Sequence, residues 1–349
     1  MAVSTQAPAR AVSADQANRS EATRAAIKKY YIYIVLLVIV VIFSLVKVNS
    51  VGLFGRGAFL SPDSVINMLR LSAPVLTVSA AFTLLMISGY IDLSVGSAMS
   101  LSAVVFSLMI LNGFDFVPAM LVTMGVGVLM GALNGFNVMK LRITPVIATL
   151  VTLNLFKGIA LLIVPDGTSA IKSTATQKMP AMINTYAREG VIFGLPLAFF
   201  VALIVIGVLV VVQRKTILGK YAAAIGGNKT AAELSGISPV KYVWILYIMV
   251  GFFASMAGVA RASYMSLGDP LSGEGMELDC IIAVLLGGTA FSGGEGSVAK
   301  TMIGALIIVA VTTGLMTVIP PYWQGVAKGS VLLFAVVLNH LLVRQRQQA

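Results

Sequence analysis

Long runs of apolar residues, separated by short polar stretches, occupy most of the chain. A helix of about twenty apolar residues spans a bilayer. The candidate segments are residues 31–48, 65–88, 93–111, 117–138, 143–164, 191–212, 241–262, 278–291, 298–319 and 325–343. Because segment 278–291 is too short to cross comfortably, we expect a broken or re-entrant helix there. The pattern predicts an all-α integral membrane protein, a polytopic bundle of about ten (eight to ten) transmembrane helices.

The composition supports a membrane protein. Hydrophobic residues make up 58% of the chain and charged residues only 11%, whereas soluble domains are about half apolar and a quarter charged. The net charge of +11 would suit a nucleic-acid partner if it formed a basic stripe. The basic residues lie instead between apolar runs, so we expect membrane lipid around the chain and no nucleic acid.

The basic residues also predict the topology. Residues 1–29 are small, polar and basic, which predicts a disordered cytoplasmic tail, and residues 30–349 are predicted to form one transmembrane domain. The run 31–46 is longer than the apolar core of a signal peptide, so we expect an uncleaved first helix. Lys and Arg accumulate in the tail and in alternate short loops when the N-terminus is cytoplasmic. Both termini are therefore predicted to be cytoplasmic.

One loop, residues 213–240, carries most of the loop charge and falls on the cytoplasmic side. Within it, Asn228 is a good helix N-cap, strong helix formers follow, and Gly236 stops the run. This predicts a two-turn helix with Ala231, Leu234 and Ile237 on one side. Such a short helix is marginal alone in water, so we expect it to rest against its own membrane domain or in a groove on a partner.

The candidate chemistry excludes several kinds of site. A single cysteine, Cys280, and a single histidine, His340, exclude an intrachain disulfide and a multi-histidine metal site. No phosphate-binding Gly-x-x-x-x-Gly-Lys-Ser/Thr loop is present. We therefore expect no catalytic residue, no metal and no cofactor on this chain, which would not be an enzyme.

Polar residues at membrane depth are costly and usually face a bundle interior or a wet cavity. Asp92 lies between Gly89 and Gly96, and we interpret it as a cap of the following helix, in preference to a proton carrier or a solute contact. Asn134, Asn137 and Asn154 also interrupt apolar segments. With Asp92 they are candidates for the translocation path; they could equally tie helices together.

Glycines at regular spacing predict close helix packing. Gly127, Gly131 and Gly135 recur every four residues, which places them on one helix face where another backbone can approach. A second glycine-rich stretch, "GGTAFSGGEGS" at 287–297, lies between membrane segments. Its packing candidates are Gly287, Gly288, Gly293 and Gly294.

Four stretches, in order, carry a resemblance to a known family. They are "GYIDLSVGS" (89–97), "LNGFNVMKLRITPVIATL" (133–150), "LGKYAAAIGGNKTAAELSGI" (218–237) and "MELDCIIAVLLGGTAFSGGEGS" (276–297). Over about residues 60–343 the chain resembles the permease subunits of bacterial ATP-binding-cassette importers for monosaccharides.

The resemblance implies a set of partners. The permease would work as a dimer, with a homodimer favoured, in the bacterial inner membrane. Two cytoplasmic subunits would hold ATP and Mg, and an extracytoplasmic (periplasmic) binding protein would deliver the sugar. The residues implied to couple to the ATPase are Asn228, Ala231, Ala232, Glu233, Leu234 and Gly236.

Two other functions remain as alternatives. An ion-coupled secondary transporter of a small polar solute would use broken helices and a midplane carboxylate, and Asp92 or Asp279 could serve as that carboxylate. A membrane receptor or scaffold would carry no solute. The sequence leaves the identity of the sugar or polyol open.

Overall fold

A computed structural model describes residues 32–45, 59–164, 169–170 and 181–318, with isolated positions between 323 and 333. The predicted tail 1–29, both termini and most of the segment 325–343 lie outside the described residues. The helices are α1 (Ile32–Leu45), α2 (Pro62–Ile87), α3 (Val95–Leu111), α4 (Phe116–Met139), α5 (Pro145–Ile163), α6 (Ala181–Asn184), α7 (Leu197–Lys215), α8 (Ile217–Gly227), α9 (Lys229–Leu234), α10 (Pro239–Met265), α11 (Met276–Leu286) and α12 (Val298–Val318). A single π-helical turn, Thr185–Glu189, follows α6.

The helices agree closely with the apolar runs. Each predicted segment up to 298–319 overlaps one helix, and among the described residues six helices are long and apolar enough to cross a membrane. The segment predicted to be broken is α11, which has 11 residues. The all-α polytopic fold is therefore confirmed.

The structure differs from the predicted segments before α7. Residues 191–196 form a hairpin of β2 (Val191–Ile192) and β3 (Leu195–Pro196) rather than the start of a helix. The turn residues Phe193 and Gly194 have φ of 52° and 79°, a left-handed pair that matches a tight hairpin turn and ends any helix. A second strand pair joins β1 (Ser169–Ala170) to β4 (Leu267–Gly268), antiparallel.

Two helices form the centre of the bundle. Ser61 caps the start of α2, since its hydroxyl accepts the Ser64 N–H at 3.3 Å, and most of the helix is buried. Just past its last residue, Gly89 has φ of 82°, and the Tyr90 N–H bonds back to the Leu85 carbonyl at 3.3 Å. α10 packs against α2, α3 and α4. By contrast, α4, α5 and α7 leave most of their apolar surface exposed, as helices facing lipid or another chain do.

Candidate functional site

The short helix predicted in the loop 213–240 exists as α9. The Asn228 side chain accepts the Ala231 N–H at 2.9 Å and caps it, and Gly236 follows with φ of 81°. Ala231 and Leu234, which were predicted to share one side of the helix, are both exposed, Leu234 by 85%, whereas Ala232 is the buried residue of the helix. Since Glu233 is exposed too, α9 presents an apolar and an acidic side chain outwards. Because α9 has only six residues, a single side chain, that of Ala232, is buried.

Directly before α9, the chain docks on the bundle through glycines. A Cβ on Gly226 would overlap the carbonyl oxygen of Ile87 and the nitrogen of Gly294. The Gly294 N–H donates to that Ile87 oxygen at 2.7 Å, and Gly293 lies against Gly89. We call Gly89, Gly226, Gly293 and Gly294 the glycine junction. It brings the end of α2, the end of α8 and the α11–α12 loop into backbone contact.

The other end of the α11–α12 loop is held by α7. The Gln213 amide donates to the Gly296 carbonyl at 2.8 Å and accepts the Val298 N–H at 3.0 Å. Val298 is the first residue of α12, so Gln213 satisfies one of the N–H groups that a helix start leaves free. Gly287 lies against the backbone of Thr301, and Gly288 ends α11 with φ of 81°.

Asp92 is buried among hydrogen-bond donors. One carboxylate oxygen accepts the N–H and the hydroxyl of Ser94 at 2.8 and 2.7 Å, and the other accepts the Asn134 amide at 3.1 Å. Because α3 begins at Val95 with Ser94 as its N-cap, Asp92 holds the turn before the helix rather than capping its first turn. Burial raises the pKa of the Asp92 carboxyl, while these hydrogen bonds act in the opposite direction.

The Asp92 site is tied to the neighbouring helices. Asn134 on α4 also donates to the Ser94 hydroxyl at 2.7 Å, and the Tyr247 hydroxyl on α10 donates to the Ile91 carbonyl at 2.9 Å. The 90–94 turn is therefore bonded to both α4 and α10. Every polar group of Asp92 meets a donor, which suits a structural carboxylate.

The glycines of α4 lie against α10. A Cβ on Gly127 would meet Ser255, one on Gly131 would overlap the Tyr247 carbonyl, and one on Gly135 would overlap the Trp244 ring. The Trp244 indole N–H donates to a carbonyl of α4 at 2.9 Å. This face is the small-residue packing surface that the spacing indicates.

A cavity of about 150 Å³ lies between α2, α3, α10, α11 and α12. Its apolar wall comes mainly from α2 and α12. The polar groups that line it are Arg261, Ser272, Glu274, Asp279, Thr312 and Thr313. At its edge Glu274 pairs with Lys157 of α5 at 3.2 Å, and both side chains are partly exposed.

The structure brings together only part of the predicted translocation set. Asp92 and Asn134 are bonded partners, whereas Asn154 is exposed on α5 and donates to the Leu150 carbonyl of its own helix at 3.0 Å. Asn137 is half-buried and bonds to neither Asp92 nor Asn134 within the described ranges. Arg261, which lines the cavity, was not among the predicted site residues, although a basic side chain inside an apolar segment is a signal that the sequence offers.

Comparison with known proteins decides the family. The sequence model of a family described as "Branched-chain amino acid transport system / permease component" matches residues 64–336. The chain belongs to this permease family. Three relatives resemble the permease over most of both chains. Ribose import permease protein RbsC of Bacillus subtilis is 34% identical over 81% of this chain and 86% of the relative.

The other two relatives are named for other sugars. D-allose transport system permease protein AlsC of Escherichia coli is 32% identical over 90% of the permease and 92% of the relative. Fructose import permease protein FruF of Bifidobacterium longum is 32% identical over 80% of the permease and 77% of the relative. No solved structure matches the permease. With its membrane-compatible helices, the permease is a multi-pass membrane protein and a component of a transport system.

Proposed function

We propose that this chain is the membrane subunit of an ATP-binding-cassette importer, and that it carries a monosaccharide or related polyol across the bacterial inner membrane. The chain would bind no cofactor, and separate cytoplasmic subunits would hydrolyse ATP with Mg. The observation that carries the proposal is α9, a capped short helix that presents Leu234 to solvent beside the glycine junction.

An exposed leucine on a short helix suits a groove on a partner. Apolar anchors of amphipathic helices insert into such grooves, and a helix of this length needs tertiary support to persist. In α9 that support comes from Ala232, which is buried, and from the Asn228 cap. Leu234 and Glu233 are left for the ATPase, so the set Asn228, Ala231, Ala232, Glu233, Leu234 and Gly236 is proposed as the coupling element.

The glycine junction connects this element to the helix bundle through backbone contacts. A pull on α9 would act on α8 and, through backbone contact at Gly226, on the end of α2 and on the α11–α12 loop. Packed cores switch between discrete arrangements rather than deforming smoothly. ATP binding would therefore move α9 and bias the permease between inward-open and outward-open packings.

The relatives' names support a sugar as solute. The three relatives are named for ribose, allose and fructose, although the family description names branched-chain amino acids. We assign the solute from the relatives because each of them aligns with at least three quarters of both chains. The same assignment brings in a periplasmic sugar-binding protein and a second permease subunit, with a homodimer preferred and both termini in the cytoplasm.

A crosslinking experiment tests the coupling element. The chain has one cysteine, Cys280, and it is buried, so an engineered thiol can be labelled selectively. We expect Leu234→Cys to crosslink to the ATPase through a thiol-to-amine reagent. The matched control is Phe193→Cys. Phe193 is 91% exposed and lies beyond the other end of α7, a helix about 28 Å long, so this variant should not crosslink.

Uptake into vesicles tests the energy source. With ATPase and binding protein present, uptake should require ATP and survive collapse of ion gradients, and Leu234→Asp should abolish it while the permease stays folded. Uptake that continues without ATP and stops when the ion gradient collapses would favour the ion-coupled carrier. Crosslinking from position 193 in place of 234 would overturn the assignment of α9.

A further inference from the structure

We propose that the permease itself contains a binding site for a neutral polyhydroxylated solute, and that this site is the cavity between α2, α10, α11 and α12. The inference rests on the proposed function, and it adds a site of recognition beyond the binding protein. Its chemical basis is the group of polar side chains that converge on the cavity, two of which contain a buried polar atom left without a partner.

The unpartnered atoms are Arg261 Nε and Ser272 Oγ. Both are buried, and neither meets a hydrogen-bond partner among the described residues; both residues line the cavity. A buried donor without a partner costs free energy. An arginine among membrane helices is expensive, so its retention usually marks a solute pathway.

The wall that α2 contributes to the cavity contains a proline inside the helix. Pro74 lies inside α2 and lines the cavity. A proline has no N–H, so the carbonyl four residues earlier loses its helical hydrogen bond. Broken or proline-containing membrane helices are tolerated where the freed backbone groups meet protein or a polar cavity.

The remaining lining groups define the chemistry of the ligand. Arg261 offers donors only, while the carboxylates of Asp279 and Glu274 accept when ionised, and the hydroxyls of Thr312 and Thr313 do both. A sugar hydroxyl both donates and accepts, so one polyol can satisfy every class of group in the cavity. The apolar wall formed by α2 and α12 suits the C–H face of a sugar ring.

Charge argues against a singly charged ligand. An anion would meet the two carboxylates and a cation would meet Arg261. A zwitterionic amino acid could place its carboxylate on Arg261 and its ammonium on Asp279, and it is the rival ligand. The many hydroxyl groups in the lining favour the polyol. The size also fits, since a cavity of about 150 Å³ in another protein binds benzene, a six-membered ring.

Ligand-induced thermal stabilisation of the full-length permease tests the site. Unfolding is followed by a thiol-reactive dye, because the single cysteine is buried in the folded chain. A ligand that binds the folded state raises the unfolding temperature in a concentration-dependent way. We expect D-ribose, D-allose or D-fructose to do so in the absence of the binding protein, and L-leucine to have no effect.

Two variants locate the binding. Arg261→Gln should weaken the apparent affinity about tenfold or more, and Ser272→Ala by about threefold. Ser272→Ala removes a hydroxyl that bonds to no described residue, so the unfolding temperature of this variant without ligand should be equal to or above that of the wild type. The matched control is Ser102→Ala, which also removes a buried, unpartnered hydroxyl but lies outside the cavity. It should leave the sugar response intact.

The outcomes separate this inference from the proposed function. If the assembled transporter takes up the sugar with ATP but no sugar stabilises the permease, the cavity site is wrong and the proposed function stands. The cavity would also be refuted if Arg261→Gln and Ser272→Ala both responded to the sugar as strongly as the wild type does. Stabilisation by L-leucine alone would overturn the polyol assignment. Failure of ATP-driven uptake by the wild type would overturn the proposed function.

Discussion

Replacing Asp92 tests whether this buried carboxylate is structural. Asp92→Leu would leave the Ser94 N–H and one N–H of the Asn134 amide without their acceptor, while the other N–H of that amide keeps its bond to the Ser94 hydroxyl. Two unsatisfied donors at about 1–3 kcal/mol each give about 2–6 kcal/mol. Because removal of a buried carboxylate also removes its desolvation cost, we expect a net loss of about 2–4 kcal/mol.

Asp92→Asn should behave differently. The new side chain keeps one oxygen for the Ser94 N–H. The Asn134 Oδ1, which meets no partner among the described residues, can accept from the new NH₂ group only if the amide reverses, and the Asn134 NH₂ then loses its bond to the Ser94 hydroxyl. We expect a loss of about 1–2 kcal/mol, smaller than that of Asp92→Leu, and substantial transport. The matched control is Asp115, the exposed N-cap of α4, whose side chain makes no capping bond. Asp115→Leu should stay within about 0.5 kcal/mol of wild type.

The assay is thermal unfolding read by dye coupling to Cys280, with transport measured in parallel. A loss of about 2–4 kcal/mol corresponds to a fall of roughly 4–16 °C at about 2–4 °C per kcal/mol. If Asp92→Leu unfolds at the wild-type temperature, the bonding account is wrong. If both Asp92 variants fold normally but neither transports, Asp92 acts as a carrier or solute contact instead.

Two pairs of glycine variants test the close contacts between elements. Gly131→Leu would drive a side chain into the α10 backbone and should lower the free energy of unfolding by about 1–3 kcal/mol or more. Its control is Gly125→Leu on the same helix, where the new side chain meets open space and should leave the unfolding temperature unchanged. Gly226→Ala would overlap the end of α2 and should lower ATP-driven uptake strongly, whereas Gly227→Ala has free space and should transport normally. Equal effects within either pair would contradict the contact in question.

Much of the fold could be predicted because lipid imposes a simple rule. A backbone in hydrocarbon must satisfy its own hydrogen bonds, so each long apolar run becomes a helix, and the observed bounds follow the runs to within a few residues. The exception before α7 has a local cause, the left-handed turn at Phe193 and Gly194. α9 could also be predicted, since its Asn228 cap and Gly236 stop are local signals.

The contacts between the candidate functional residues could be predicted less well from the sequence. Glycine spacing indicated that α4 packs closely, but not that α10 is its partner, and nothing local distinguished Asn134, which bonds to Asp92, from Asn154, which bonds within its own helix. The sequence also left open which side of α9 packs on the bundle, because the buried position in so short a helix depends on the surface beneath it.

The sequence by itself determined the helices, their boundaries and the membrane setting, because these follow from hydrogen bonding and hydrophobicity along one stretch of chain. Only the tertiary structure decided which polar groups meet: Asp92 with Asn134, the glycines of α2, α8 and the α11–α12 loop, and Arg261 with the hydroxyls and carboxylates around its cavity. These contacts join residues far apart in the chain, and their partners depend on how whole helices pack against each other.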